Sequence, residues 1–173
     1  MDLIGVVHNY RYLDDVDNYI LSTHPKGIQS LMVELPPNWP EFKARNARYT
    51  NFFDILAHRY EKRGTRIVYG DRVRESHLSR LESISSLPFS SLLLILYGLP
   101  ERFYSYLDAS FTHLRDSVMA EAIREENPDI VVAGRLHADY LKDKFSNAYY
   151  TAFVKEMGMH KKPRNADNII YLH

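Results

Sequence analysis

Four short apolar runs constrain the fold of this chain more than any other feature of its sequence. They are LIGVVH at 3–8, IQSLMVEL at 28–35, TRIVYG at 65–70 and DIVVAG at 129–134. Short apolar runs that contain β-branched residues are typical of strands buried on both faces of a sheet. Longer segments with apolar residues at helical spacing separate them. This alternation predicts an α/β fold, in which helices flank a central, largely parallel sheet.

The segments between these runs predict the helices and the extent of the domain. Apolar spacing predicts helices over 12–23, from 41 to about 63, over 74–84 and over 101–126, and a helical segment over 137–157. The tail after 160 is predicted to end in a short strand. A chain of 173 residues can bury a substantial core, so we expect a single domain over 1–173.

Composition excludes some kinds of function. The 22 basic residues balance the 22 acidic ones, so we expect no nucleic-acid partner. Cysteine is absent, so any metal must be held by nitrogen and oxygen ligands. The N-terminus has no signal-peptide pattern, and the longest apolar block, 91–100, is far shorter than the roughly 20 residues of a membrane span. We therefore expect a cytoplasmic protein without a membrane span. The aromatic content of 13% leaves a homodimer open.

Chemically active side chains follow the ends of the predicted strands. The first and fourth runs are followed by the same pattern, GxxH, which contributes Gly5 with His8 and Gly134 with His137. Glu34 is next to last in the second run. The carboxyl ends of parallel strands meet at one edge of a sheet, where ligands bind, so we expect these two histidines and Glu34 to converge there. The alternative is that each histidine only caps a strand by bonding to a backbone carbonyl.

Five motifs, taken in order, resemble the TraB/PrgY family. They are LIGVVH, LMVELPPNW, IVYGDRVRESHLSR, LRDSVMAEAIRE and VVAGRLHADYL, and together they cover roughly residues 3–142. That family belongs with Tiki, GumN and the erythromycin esterase/ChaN-like proteins. The marks shared by this superfamily are two GxxH motifs, a glutamate that ends the second strand and an arginine in the helix before the second GxxH. Arg115 matches that arginine, while Asp71 and Arg72 match a further DR segment of the TraB-like proteins.

Three motifs depart from the family pattern, and in the first of them Val6 and Val7 stand where threonine and alanine or similar residues are common. His77 stands where the DR segment usually has threonine, and Leu114 replaces the glutamate that begins the ERD…M pattern. Asp116 matches the aspartate of that pattern. Because it points about 100° away from Arg115 around its helix, we interpret it as solvated or as one half of a pair on the helix surface.

The resemblance implies a metal-assisted, hydrolase-like site that acts on a peptide, amide or ester bond of a peptide or small molecule. The Tiki branch is a metal-dependent protease that favours manganese or cobalt. The erythromycin esterase branch hydrolyses a lactone with histidine as the general base and has no firm metal requirement. The resemblance also allows a non-catalytic ligand-binding or signalling module, like the pheromone-shutdown role of TraB relatives, which keeps the site.

The candidate residues suit either kind of hydrolase. His8 and His137 would bind a divalent manganese, cobalt or zinc ion, with Glu34 as third ligand or as general base. Without a metal, one histidine would take a proton from water while Glu34 orients it. Arg115 would stabilise the developing oxyanion, or would only pair with Glu34 or Asp71. Asp71 and Arg72 are included in the predicted site, and the alternative is a surface turn that ends the third strand.

Overall fold

A computed structural model describes residues 1–48, 50–72, 101–155, 163 and 165–173, with the backbone alone over 101–112. Its centre is one parallel sheet, as the sequence predicts. The strands are β1 (Asp2–Val6), β2 (Ser30–Val33), β3 (Arg66–Tyr69), β4 (Ile130–Gly134), β5 (Tyr149–Lys155) and β6 (Asn168–Leu172). They lie in the order β3-β2-β4-β1-β5-β6, and each neighbouring pair is parallel.

Helices connect the strands and cover both faces of the sheet. They are α1 (Leu13–Thr23), α2 (Trp39–Arg45), α3 (Phe52–Glu61), α4 (Glu101–Glu126) and α5 (Arg135–Lys144), and a 3-10 turn (Tyr10–Tyr12) precedes α1. Apolar side chains of the first three helices pack on one face, and those of α4 and α5 pack on the other. The helix predicted at 74–84 lies outside the described residues.

The path of the chain explains why the helices divide in this way. From β1 the chain steps outward to β2 and β3, returns to place β4 beside β1, and continues to β5 and β6 on the other side. Crossovers between parallel strands are right-handed, so a reversal of direction moves the connecting helix to the opposite face. The chain therefore leaves β1 and β4, which are neighbours, in opposite directions. In such sheets, the carboxyl ends of two neighbouring strands that the chain leaves in opposite directions are the usual binding position.

The single helix predicted from 41 to about 63 is wrong, because this segment forms two helices. Side-chain hydrogen bonds mark both interruptions: the amide of Asn46 donates to the carbonyl of Phe42, and Asn51 accepts from the backbone N–H of Asp54. Asparagine competes with the backbone for such bonds and so favours helix ends. The apolar positions continue at helical spacing across the break, which is why periodicity alone predicted one element.

The helical segment predicted over 137–157 is wrong in its second half. Helix α5 ends at Lys144, and 149–155 form strand β5 between β1 and β6. Residues 150–154 are all buried, so this strand shows no alternation of polar and apolar residues. A short apolar run of this kind has no periodicity that separates a strand from a buried helix. The strand predicted in the tail is confirmed as β6.

In the described part of the chain, every helix is too short or too polar to span a lipid bilayer.

Candidate functional site

Glu34 lies at the centre of the carboxyl edge of the sheet. It directly follows β2 and reaches across the end of β4, where the backbone N–H of Gly134 donates to its Oε2 atom at 2.7 Å. His137 lies in the first turn of α5, directly after β4, and its Nε2 atom is 3.3 Å from Oε1 of Glu34. His8 follows β1, and its Nε2 atom is 3.9 Å from Oε2. The structure thus brings together the three residues that the strand-end pattern singled out.

The two motif glycines serve different purposes. A Cβ atom at position 134 would lie 2.7 Å from Nε2 of His8 and 3.1 Å from Oε2 of Glu34. Gly134 therefore leaves the room in which these two side chains approach each other. A Cβ atom at position 5 would instead lie 2.6 Å from the hydroxyl of Tyr150, which is fully buried. Gly5 thus permits close packing between β1 and β5 beneath the site.

Arg115 holds two carboxylates at the site. Its Nη2 atom donates to Oε1 of Glu34 at 2.7 Å and to Oδ2 of Asp71 at 2.8 Å. Burial alone would lower the pKa of Arg115, but the hydrogen bonds and charges of Asp71 and Glu34 outweigh it and raise that pKa. Arg115 is therefore a fixed positive charge, and the described residues take no hydrogen bond from its Nε or Nη1 atoms.

Asp116 belongs to the site, so its interpretation as a solvated or surface residue is wrong. Its side chain is 3% exposed, and Oδ1 lies 2.5 Å from Nδ1 of His137. The other oxygen, Oδ2, is 4.0 Å from Nδ1 of the exposed His113. The turn of about 100° between Arg115 and Asp116 on α4 directs the two side chains to different strand ends instead of directing Asp116 to solvent. The ERD…M pattern was the sequence signal that could have identified it.

His137 is held as a proton donor. Nδ1 faces Asp116 and Nε2 faces Glu34, so both ring nitrogens point at carboxylate oxygens. Burial lowers the pKa of His137, but the hydrogen bond to Asp116 and the charges of Glu34 and Asp116 outweigh burial, and the pKa is raised. These carboxylates therefore favour the imidazolium form.

His8 has the opposite environment. Half of its side chain is exposed, and its ring packs edge-on against Phe53 with the ring centroids 4.7 Å apart. Partial burial lowers the pKa of His8, and the positive charges of His137 and Arg115 lower it further, against the charge of Glu34. His8 is thus favoured as the neutral base. The surroundings of the two histidines therefore push their pKa values apart.

Arg72 lies apart from this cluster. It donates to Glu125 at 2.8 Å, to Glu126 at 2.5 Å and to the carbonyl of Tyr69, and so joins the end of β3 to the end of α4. Asp71, the residue before it, points the other way and binds Arg115. The structure therefore brings only one member of the predicted Asp71–Arg72 pair to the site.

The predicted metal ligands are neighbours, but they are not arranged as a coordination set. Among the residues that the structure describes, no group of three or more His, Asp or Glu side chains could hold one ion. Arg115 and the N–H of Gly134 each already bind one oxygen of Glu34, and a fixed positive charge beside that carboxylate disfavours a divalent cation. This arrangement does not fit a bound metal.

Comparisons with protein-family models, with curated proteins and with solved structures find no match to this chain. The TraB/PrgY resemblance therefore depends on the short motifs alone, and the geometry of the site has to support a function by itself.

Proposed function

We propose that this protein is a hydrolase that cleaves an ester, amide or peptide bond with histidine-activated water. The observation that carries the proposal is the opposite environment of two histidines on either side of one carboxylate. His8 is favoured as the neutral form beside Oε2 of Glu34, and His137 is favoured as the imidazolium beside Oε1. A neutral base and a charged acid, both at the carboxyl edge of the sheet, are the two groups that hydrolysis requires.

The reaction follows from these positions. His8 accepts a proton from water at Nε2 while the water oxygen attacks the carbonyl carbon of the substrate. The carbonyl oxygen becomes an oxyanion, which Arg115 stabilises through Nε or Nη1. The bond to the leaving group then breaks, and His137 donates its Nε2 proton to that group. Glu34 lies between both histidines, so it can return the proton from His8 to His137, and the net change is the addition of one water.

Asp116 acts through His137. By accepting a hydrogen bond from the Nδ1–H group, it fixes the ring so that Nε2 faces the reacting groups, and it stabilises the imidazolium. Asp71 has the same kind of role toward Arg115, because it holds the guanidinium through a second hydrogen bond beside that of Glu34. Neither carboxylate needs to touch the substrate.

The test is hydrolysis of a panel of small esters, anilides and peptides by the wild type, His8→Gln and His137→Gln. We expect each variant to lose at least about 100-fold in kcat/KM, the usual contribution of general acid or base catalysis. His58→Gln is the control, because His58 is an exposed histidine on α3. Folded wild type with no activity on any substrate would contradict the proposal and favour a ligand-binding or signalling module.

The predicted dependence on manganese, cobalt or zinc has its own test. A bound ion would have to share the carboxylate of Glu34 with the hydrogen bonds from Arg115 and Gly134. Calorimetric titration of each ion into the wild type and a His8→Ala/His137→Ala variant measures this directly. We expect that the wild type binds none of these ions one-to-one at micromolar concentration through the two histidines. The titrations of the wild type and of the double variant should therefore not differ. Such binding, together with activity lost to a chelator, would contradict the metal-free mechanism.

A further inference from the structure

Strand β6 is an outer strand of the described sheet, and it lacks the features that keep such strands from pairing with another chain. Its sequence, NIIYL, contains no charged residue and no proline. Tyr171 is 45% exposed, and Ile169 and Ile170 are partly exposed. The other outer strand, β3, instead begins with Arg66, a charged side chain that is 54% exposed. Charged residues and proline are the usual protection of a sheet edge, so β6 is the edge that can accept a strand.

The hydrogen bonds of β5 show which of its residues face β6. The N–H of Tyr149 donates to the carbonyl of Met1, on the side of β1. Tyr150 faces the other way, and its carbonyl accepts from the N–H of Asp167 at 2.8 Å. In a parallel strand the N–H and C=O of one residue point to the same side, and successive residues alternate. Ala152, two residues after Tyr150, therefore also faces β6.

The register of the two strands then gives the direction of each backbone group on β6. Ala152 pairs with Ile169, so its N–H and C=O bond to the residues on either side of Ile169, which are Asn168 and Ile170. Ile169 and Tyr171 consequently point their N–H and C=O groups away from β5. No hydrogen bond from the described part of the chain reaches these outward groups.

Two copies of β6 satisfy each other's outward groups. A two-fold axis at Ile170, the middle residue, makes the two strands antiparallel and places Ile169 opposite Tyr171 of the partner subunit. Both residues point outward, so each such pair exchanges two N–H···O=C bonds. Ile170 then lies opposite its own copy as a pair without hydrogen bonds. Only another extended strand can match a row of groups in this way.

The side chains of β6 fit the same register. Ile169 and Tyr171 of the partner subunit form an aliphatic–aromatic pair across the strands, which is a stabilising combination. Because the strand carries no charge, pairing with a second copy opposes no like charges.

On the α1 side of the sheet there is also room for a partner. A groove of about 520 Å³ lies between α1 and β6, and its lining includes Asn18, Tyr19 and Ser22 on the helix and Ile170 and Leu172 on the strand. Ile170 packs against the apolar cluster on this face and remains partly exposed. The pair formed by the two copies of Ile170 would lie along this groove and cover apolar surface.

We propose that β6 is a dimer interface, at which β6 of a second copy pairs antiparallel with it about a two-fold axis at Ile170. The two sheets then form one continuous sheet. An isologous contact of this kind uses the same surface on both copies and closes at two subunits. The proposal does not depend on the hydrolase function.

The first test is a cross-link, because the chain has no cysteine and one substitution introduces a single thiol. In Ile170→Cys the two Cα atoms would lie about 4.5 Å apart, within the roughly 4.4–6.8 Å that a disulfide spans. Mild oxidation should convert most of this variant to a covalent dimer, measured by mass spectrometry without reduction. Asn168→Cys controls the register, because its two copies would lie about 13 Å apart along the strands. Leu21→Cys, an exposed position on α1, measures cross-linking by random collision.

The second test removes a hydrogen bond that only the dimer makes. Tyr171→Pro deletes an outward N–H group and leaves the N–H groups that bond to β5, so the fold of each copy should persist. We expect the dissociation constant of the dimer, measured by sedimentation, to rise at least about tenfold. Tyr171→Phe is the matched control, because it keeps the ring and the N–H, and it should dimerise like the wild type. Equal thermal unfolding midpoints of the two variants, at a concentration where both are monomers, confirm that the proline is tolerated.

Three outcomes would overturn the proposal. Wild type that sediments as a monomer at every concentration would show that the edge does not bind a second copy. A dimer that Tyr171→Pro leaves unchanged would show that the interface lies elsewhere. Ile170→Cys that cross-links no faster than Leu21→Cys would contradict the two-fold axis at Ile170.

Discussion

A methyl group at position 134 would occupy space that His8 and Glu34 now use. The backbone at Gly134 has φ −54° and ψ 142°, which any residue can adopt, so the requirement for glycine comes from the site and not from the turn. Gly64 is the contrasting case. Its φ is +83°, and a Cβ atom there would meet no other atom within 4 Å. Its requirement comes from the backbone alone.

We therefore predict that Gly134→Ala and Gly64→Ala separate activity from stability. Gly134→Ala should displace His8 and lower kcat/KM at least about tenfold, while the fold persists. Gly64→Ala should lower the free energy of unfolding by about 1 kcal/mol and leave kcat/KM within about twofold. Chemical denaturation and a kinetic assay check both variants. Equal activity in Gly134→Ala and the wild type would show that the close approach of His8 is not needed.

Asp116 predicts a specific change in the pH profile. If His8 must be neutral and His137 charged, activity rises as pH passes the lowered pKa of His8 and falls as pH passes the raised pKa of His137. The neutral amide in Asp116→Asn carries no negative charge, so this variant should lower the pKa of His137. We expect the alkaline limb to move to lower pH, kcat to fall about 100-fold or more, and the acid limb to move less. An alkaline limb that stays in place would contradict the role of His137 as the acid.

At the scale of elements, one helix supplies much of the site. Helix α4 carries Arg115 and Asp116, which bind Glu34 at the end of β2 and His137 on α5, and Arg72 fastens the end of the same helix to β3. The site therefore depends on the position of α4 as well as on the strand ends. The ion pairs of Arg72 support that position at a distance from the reacting groups.

A second contact between elements fixes α1 to α3. Asp17 on α1 accepts hydrogen bonds from Arg63, at 2.6 and 3.0 Å, and from Arg59 at 3.3 Å, and its side chain is 9% exposed. Burial alone would raise the pKa of Asp17, but the hydrogen bonds from the two arginines outweigh it and hold the pKa below its ordinary value. Because the pKa is lower in the folded state, this contribution to stability is present above the ordinary aspartate pKa of about 3.9 and is lost as pH falls through the folded value.

We predict that Asp17→Asn lowers the free energy of unfolding by about 2 kcal/mol at neutral pH. The difference from the wild type should shrink as pH falls below about 4, because the wild type then loses the same charge. Urea denaturation at several pH values measures both effects. The control is Asp15→Asn, an exposed aspartate in the first turn of α1, which should show no such trend. A constant difference across pH would mean that packing and not charge makes Asp17 stabilising.

At the scale of the whole molecule, the sequence was sufficient to predict strands and site residues wherever local patterns and the general rules of topology agree. Four apolar runs identified the four strands β1 to β4, and the rule that parallel strands end at one edge placed Glu34 between two histidines. Asp116 was missed because its partner His137 lies 21 residues further along the chain, on another helix. The spacing of residues within one helix does not predict a contact between two helices. Strand β5 was missed because burial on both faces removes the alternation that distinguishes a strand.

The order of the strands makes a last prediction about stability within the sheet. Strands β1 and β4 each have a neighbour on both sides, and their interiors are fully buried, whereas β3 and β6 each have one neighbour in the described sheet. Backbone N–H groups of the central strands should therefore exchange with deuterium only on global unfolding, and those of the outer strands of a single copy about tenfold faster or more. Hydrogen exchange measured by NMR at several protein concentrations tests this. Outer strands that exchange as slowly as β1, and more slowly at higher concentration, would show that a second copy covers an edge and would support the homodimer that the sequence leaves open.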